Sequence, residues 1–414
     1  MDLLSPEIQP YPWGTVDAIA DLQGRPVPAP GPEAELWMGA HPSAPAKLDR
    51  SLPSPVPLGT PVTLDTVIAA DPERELGTEV AARFGGRLPF LLKVLSAARA
   101  LSIQVHPSRA QAEAGYAAEN ARGLAPGDPA RNYVDDWPKP ELLYALTPFE
   151  VAAGLRTPSD AAALLQALEV DELKPLAAGL TDRGADIGAN LGAALASILP
   201  WPEPARLVSD VVAACQRLAA SATPYAGACA AAVRVAADHP GDVGVVALLL
   251  MRHEVLQPGQ AVFMPAGGLH AYLRGTGIEL LANSDNVVRS GLTGKHVDVP
   301  ELLELLDPSV AVPVLTPRLA APGVTTFDTP APEFRLYLID LPASPGSAAS
   351  ALALPGAGPR ILLCLDGACT LRAASGQELE LTRGGSCFIP FADGPVHAVG
   401  HARLALATSG TAPF

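Results

Sequence analysis

The sequence predicts a mostly β protein: a first β-barrel with a polar interior, an α-helical insertion within it, and a second barrel at the C-terminal end. Three observations predict it. The 37 Gly and 44 Pro among 414 residues cut the chain into many short segments suited to strands and turns. Strand-like stretches, some alternating apolar and polar residues with a period of two, recur around residues 90–106, 139–145 and 260–272. From Thr157 to about Ala237 that pattern gives way to Ala- and Leu-rich runs broken at Gly and Pro, which suit helices. The chain thus divides into 1–156 with 238–322 (first barrel), 157–237 (helical insertion) and 323–414 (second barrel). With 49% hydrophobic residues it can bury the large cores this needs.

In chain order, Phe90–Leu95 (FLLKVL) is nearly all apolar and reads as a buried strand. In Leu101–His106 (LSIQVH), Leu101, Ile103 and Val105 point to one face and Ser102, Gln104 and His106 to the other, with about 7 Å between same-face neighbours. The same alternation puts Lys139 and Glu141 on one side of Lys139-Pro140-Glu141. Thr157-Pro158-Ser159-Asp160 reads as a helix start, with Thr157 as N-cap and Pro158 at the first position. In QPGQAVFMPAGGLHAYL, Gly259 suits a tight turn, Gln260–Met264 a strand, Pro265 and Gly267 a second turn, and His270 the start of a returning strand. A helix follows in 297–307 (VDVPELLELLD), and strands resume from about Gly323.

Polar side chains turned into a barrel interior need partners. Neutral imidazole is the commonest protein ligand for zinc or iron, so His106 and His270 invite a metal, with Glu141 as a carboxylate ligand beside the Lys139 cation. Glu279 shares a strand face with Gly277 and Leu281 and is a further interior carboxylate. Arg289 follows the turn formers Asn283-Ser284-Asp285-Asn286, which suit a loop over a barrel mouth.

The spacing Gly259, Pro265, Gly267, His270 resembles the second cupin motif, and the whole set resembles the type I mannose-6-phosphate isomerases. The matching segments are YPWG at 11–14, ELWMGAHP at 35–42, LPFLLKVLSAARALSIQVHP at 88–107, KPELLYALTPFEVAAGLR at 139–156 and the stretch 257–295. The resemblance implies cupin barrels, one zinc ion held by Gln104, His106, Glu141 and His270, and Arg289 as the active-site arginine. It implies interconversion of D-mannose 6-phosphate and D-fructose 6-phosphate through an enediol. Such a ligand set carries about one negative charge against Zn²⁺ and contains no Cys, which favours a catalytic centre over a structural one. The same ligands also bind Co²⁺, Mn²⁺ or Ni²⁺. Ser102, Lys139 and Lys295 are the expected contacts to the phosphosugar substrate. Glu279, a lysine and metal-bound hydroxide all remain open as the base. Where the family commonly has Pro, this chain has Gly294 before Lys295, which loosens that loop. Near the C-terminus, Gly384 and Pro390 repeat the start of the motif, but Ala392 and Pro395 replace its second glycine and its histidine, so the second barrel is expected to be a cupin without a metal site.

Without the resemblance, the same residues also suit an iron-dependent bicupin oxygenase or a non-catalytic sugar-phosphate binding protein. A net charge of −15 with no basic stripe argues against nucleic acid. The longest apolar run, Val243–Met251, is too short to span a bilayer, and the first ten residues carry no targeting pattern. Five cysteines without metal spacing, Cys364 in an apolar strand and Cys369 beyond a turn among them, point to a reducing, cytoplasmic setting. No feature signals an oligomer, and the expected unit is a monomer.

Overall fold

In the computed structural model, the described residues are 1–50, 62–182, 187–342 and 351–410. The protein is mostly β, as expected. Two large antiparallel sheets stack on one another, and among the described pairings neither closes on itself. The site-bearing sheet runs, in space, Val314–Leu315, Ala261–Met264, Glu141–Ala145, His270–Ala282, Phe90–Ala97, Glu35–Gly39 and Glu7–Gln9. Four further strands, Ile103–Val105, Phe149–Leu155, Met251–Leu256 and Val288–Gly291, fold back over it, two of them through the first half of His270–Ala282.

Period-two alternation decides what each face does. Leu36, Met38, Phe90, Leu92, Val94, Leu142, Tyr144, Ile278 and Leu280 point outward into a core shared with Leu336, Leu338, Ile361, Leu363, Phe388, Ala405 and Ala407 of the C-terminal sheet. The residues between them, Glu35, Trp37, Lys93, Glu141 and Glu279, therefore share the opposite, inner face, and all five line one cavity. Beyond that cavity the interior is filled by an apolar cluster that includes Leu95, Leu143, Phe149, Val151, Val262, Met264 and Tyr272.

Helices Pro158–Ala167, Lys174–Leu180, Ile187–Ile198, Pro204–Ala219 and Ala226–Asp238 follow the strand Phe149–Leu155. They bury a common core against Ile103, Val105, Ala152, Ala271 and Val288, on the outside of the folded-back strands. Thr157 starts them as expected, its Oγ1 accepting from the Asp160 amide at 3.2 Å. Helical structure does not stop at His239. The apolar run after Gly241 forms one more helix, Gly244–Leu249, wholly buried in the same core.

Three details differ from expectation. The strands on either side of the Pro265–Gly267 turn do not pair with each other: Glu141–Ala145 lies between them, Met264 and Leu281 both being partners of Glu141. Strands resume before Gly323, with Val314–Leu315 and Arg318–Ala321. Cys364 and Cys369 sit in one continuous strand, Arg360–Ala373, rather than on either side of a turn. The C-terminal sheet also recruits the strands Asp2–Ser5 and Lys47–Leu48, the first of them paired with Ser386–Ile389.

Candidate metal centre

Each side chain of the centre is fixed by a different strand end. Ile103 and Val105 anchor their strand in the helical core, which leaves Gln104 and His106 facing inward. Glu141 opens its strand directly after Lys139 and Pro140. His270 opens the long strand after a turn in which Gly267, at φ +78°, donates its amide to the His106 carbonyl at 3.0 Å. A side chain at Gly267 would sit 2.9 Å from Asp307 Cβ, so both the space and the left-handed backbone call for glycine.

His106, Glu141 and His270 converge, each with a ligand-type atom within 4.8 Å of the others, and all three are buried. His106 Nδ1 faces the Asn286 carbonyl at 2.8 Å and His270 Nδ1 faces the Gly268 carbonyl at 3.0 Å. A carbonyl only accepts, so both rings carry their proton on Nδ1 and present an Nε2 lone pair. Those Nε2 atoms lie 3.1 and 3.4 Å from the Glu141 oxygens, yet neither makes a hydrogen bond. Burial first, then the Lys139 charge, pushes His106 down to about 4, which keeps it neutral. Burial works to raise the Glu141 pKa, but the Lys139 charge holds it well below the usual carboxylate range. The Nε2 lone pair of the neutral His106 imidazole thus points at a carboxylate in a buried site, with His270 Nε2 beside them. A divalent cation resolves that arrangement, so these residues fit a metal.

Around this group, Lys139 Nζ reaches Glu141 Oε1 at 3.1 Å and Tyr272 Oη donates to Glu141 Oε2 at 3.0 Å. Gln104 is buried, pairs in the ladder with both His270 and Arg289, and lines the cavity together with Glu141. The cavity measures about 420 Å³. Glu279 lies in it with Lys93 Nζ at 3.1 Å. Burial foremost, with Glu141 and Glu35 adding and Lys93 opposing, pushes Glu279 up to about 7. Burial opposes the Lys93 charge, but Glu279 and Glu35 raise its pKa well above the usual lysine value. Arg289 is half-buried in the cavity wall, and its guanidinium has no ion pair or hydrogen bond among the described residues. Ser102 and Lys295 line the same cavity, Lys295 exposed.

Sequence reasoning did not single out Lys93, Glu35, Trp37 or Asp285, which share this cavity. Lys93 carried a signal: it is the one charge in an otherwise apolar strand, and a buried lysine needs carboxylates. Five other histidines lie outside the centre. His41 meets Ser43 at 2.7 Å, His253 meets Glu150 at 2.6 Å, and His296, His397 and His401 are exposed.

Opposed lone pairs on the floor and the unpaired Arg289 guanidinium in the wall make sense together in a metalloenzyme that handles anions. Comparison with known proteins narrows this. The model of the type I phosphomannose isomerase catalytic domain matches residues 1–158. The chain is 36% identical to the mannose-6-phosphate isomerase of Escherichia coli strain K12 over 98% of each chain. A glutamate-to-alanine variant of phosphomannose isomerase from Salmonella typhimurium superposes with a TM-score of 0.86 at 34% identity, covering 99% of both chains. A zinc-bound mannose 6-phosphate isomerase matches with the same coverage and identity at a TM-score of 0.85. The chain belongs to the type I mannose-6-phosphate isomerase family.

Proposed function

We propose that this chain interconverts D-mannose 6-phosphate and D-fructose 6-phosphate, with one zinc ion held by His106, Glu141, His270 and Gln104. The observation that carries the reading is the pair of buried, unbonded imidazole Nε2 atoms facing the Glu141 carboxylate. When bound, zinc supplies Lewis acidity toward the sugar's carbonyl and hydroxyl oxygens. Glu279, poised near neutrality, takes the proton from one of the two reacting carbons and returns it to the other. Lys93 keeps Glu279 oriented through their 3.1 Å contact. Arg289 holds negative charge developing on the enediol with a fork of donors that no other described residue occupies. Ser102 and Lys295, at the outer part of the cavity, take the phosphate, and Lys139 bridges substrate and Glu141. The low-dielectric interior strengthens the contacts of Glu279, Lys93 and Lys139, which are buried.

In architecture we read 1–156 with 238–322 as a catalytic cupin barrel, 157–237 as a helical insertion, and 323–414 as a degenerate cupin without a metal site. The inward polar face of the first part supports this, as does the C-terminal sheet's core of Tyr337, Cys364, Leu371, Cys387 and Leu404. All five cysteines are free and buried, which suits the cytoplasm. No helix among the described residues is long and apolar enough to cross a membrane.

The test is conversion of mannose 6-phosphate to fructose 6-phosphate by purified protein before and after chelation, with zinc added back. Activity is expected to vanish on chelation and return with zinc. Absence of conversion by folded, zinc-loaded protein would sink the assignment.

A further inference from the structure

Two loops meet behind the metal centre, and Asn286, backed by Asp135 and Ser284, joins them. Asn286 is fully buried. Its Nδ2 donates to the Asp135 and Trp137 carbonyls, each at 2.8 Å, and to Asp135 Oδ1 at 3.2 Å. Its Oδ1 accepts from the amides of Val134 at 2.8 Å and Asp135 at 3.2 Å. Asp135 in turn accepts from Ser284 Oγ at 2.8 Å, the Asp285 amide at 2.9 Å and the Trp137 amide at 2.9 Å. The amide side chain of Asn286 is thereby saturated and has one possible orientation, because swapping its oxygen and nitrogen would set acceptor against acceptor at three contacts and donor against donor at two.

The backbone of the same residue does a second task. The Asn286 carbonyl is the acceptor that places the proton of His106 on Nδ1 and turns Nε2 toward Glu141. Lys139 and Glu141 lie two and four residues beyond Trp137 on one clasped loop, and Arg289 lies three residues beyond Asn286 on the other. We infer that Asn286, locked by Asp135, is a positioning residue of the metal centre: it fixes the tautomer and ring plane of His106 and holds the Arg289 loop in register with Glu141. This rests on the metal-binding half of the proposed function, and not on the identity of the sugar.

The experiment uses the full chain. Asn286→Asp keeps size and shape but replaces the donor group at three contacts with an acceptor. Zinc affinity is measured by competition with a chromophoric chelator, and the visible spectrum of the cobalt(II)-loaded protein reports ligand geometry; neither needs a substrate. Zinc binding is expected to weaken about 10- to 100-fold, the usual cost of losing a group that orients a ligating histidine, and the cobalt spectrum to change. With mannose 6-phosphate as substrate, kcat is expected to fall more than KM rises. A folded Asn286→Asp protein with wild-type zinc affinity and cobalt spectrum, whatever its melting temperature, would overturn the inference. If that variant does not fold, Asp135→Asn, which keeps one acceptor oxygen, decides with the same two readouts. Failure to isomerise mannose 6-phosphate would leave both readouts intact.

Discussion

Glu279 combines two properties seldom found together: it is buried beside a lysine at 3.1 Å, and its pKa still lies near 7. Burial outweighs the lysine because Glu35, Glu141 and Asp285 also draw on that single charge. As the proposed base it must be ionised; the value near 7 belongs to the metal-free protein, and a cation bound beside Glu141 would draw it lower, so activity is expected to rise with pH along a limb below 7, and Glu279→Gln to lose that limb along with most of kcat. The linkage to stability has the opposite sign. Between the ordinary carboxyl value of 4.5 and about 7, the folded metal-free protein binds a proton that the unfolded chain has released. Its stability therefore falls as pH rises across that window, and Glu279→Gln is expected to flatten the slope in melts followed by calorimetry. Arg289→Ala, by contrast, removes a donor from where charge develops; a loss of roughly 10²–10³ in kcat with zinc content unchanged is expected, checked by metal analysis of the same sample.

Among elements, the strand His270–Ala282 explains most about the centre. Fully extended, the eleven steps from His270 to Leu281 would span about 36 Å. Yet Leu281 is the ladder partner of Glu141, and His270 Nε2 is 3.4 Å from a Glu141 oxygen. The strand bends at a register shift between Tyr272 and Arg274 and at Gly275, whose φ is +136° and whose Cβ position lies 2.8 Å from the Phe149 backbone. Gly275→Ala is expected to destabilise the protein by about 1–3 kcal/mol and to weaken zinc binding, seen as a lower Tm and a looser metal in the same variant. The bend also marks what the sequence could and could not convey. Alternation placed Gln104 with His106, and Lys139 with Glu141, on inward faces, because facing is a local property of period two. Glycine and proline placed the turn before His270. The identity of the strand between Met264 and His270 was not legible, since pairing partners are chosen by the whole sheet. Lys93 passed as part of an apolar strand because its carboxylate partners lie 58 residues before it and 186 after it.

For the molecule as a whole, the shared core between the two sheets is the main structural bond. Deleting residues 323–410 would strip one side of a face that includes Leu36, Met38, Phe90, Leu92, Val94, Ile278 and Leu280. Such a patch exceeds what soluble monomers expose, so the shortened chain is expected to aggregate, read by size-exclusion chromatography, rather than survive as an active half. The general plan was legible because the Ala- and Leu-rich helical stretch differs so plainly from the strand-rich segments. The way the parts interlock was not. Nothing local in Asp2–Ser5 announces that it completes a sheet formed otherwise from the far end of the chain and from Lys47–Leu48.

That pairing has a consequence during synthesis. At about 5–20 residues per second, Asp2–Ser5 leaves the ribosome roughly 20–80 s before its partner Ser386–Ile389 exists. Throughout that interval a nascent chain carries an unpaired strand edge at Asp2–Ser5, open to any neighbouring polypeptide on the same message. The short length of the strand, four residues, and its mixed burial limit how well it can template a wrong partner while it waits.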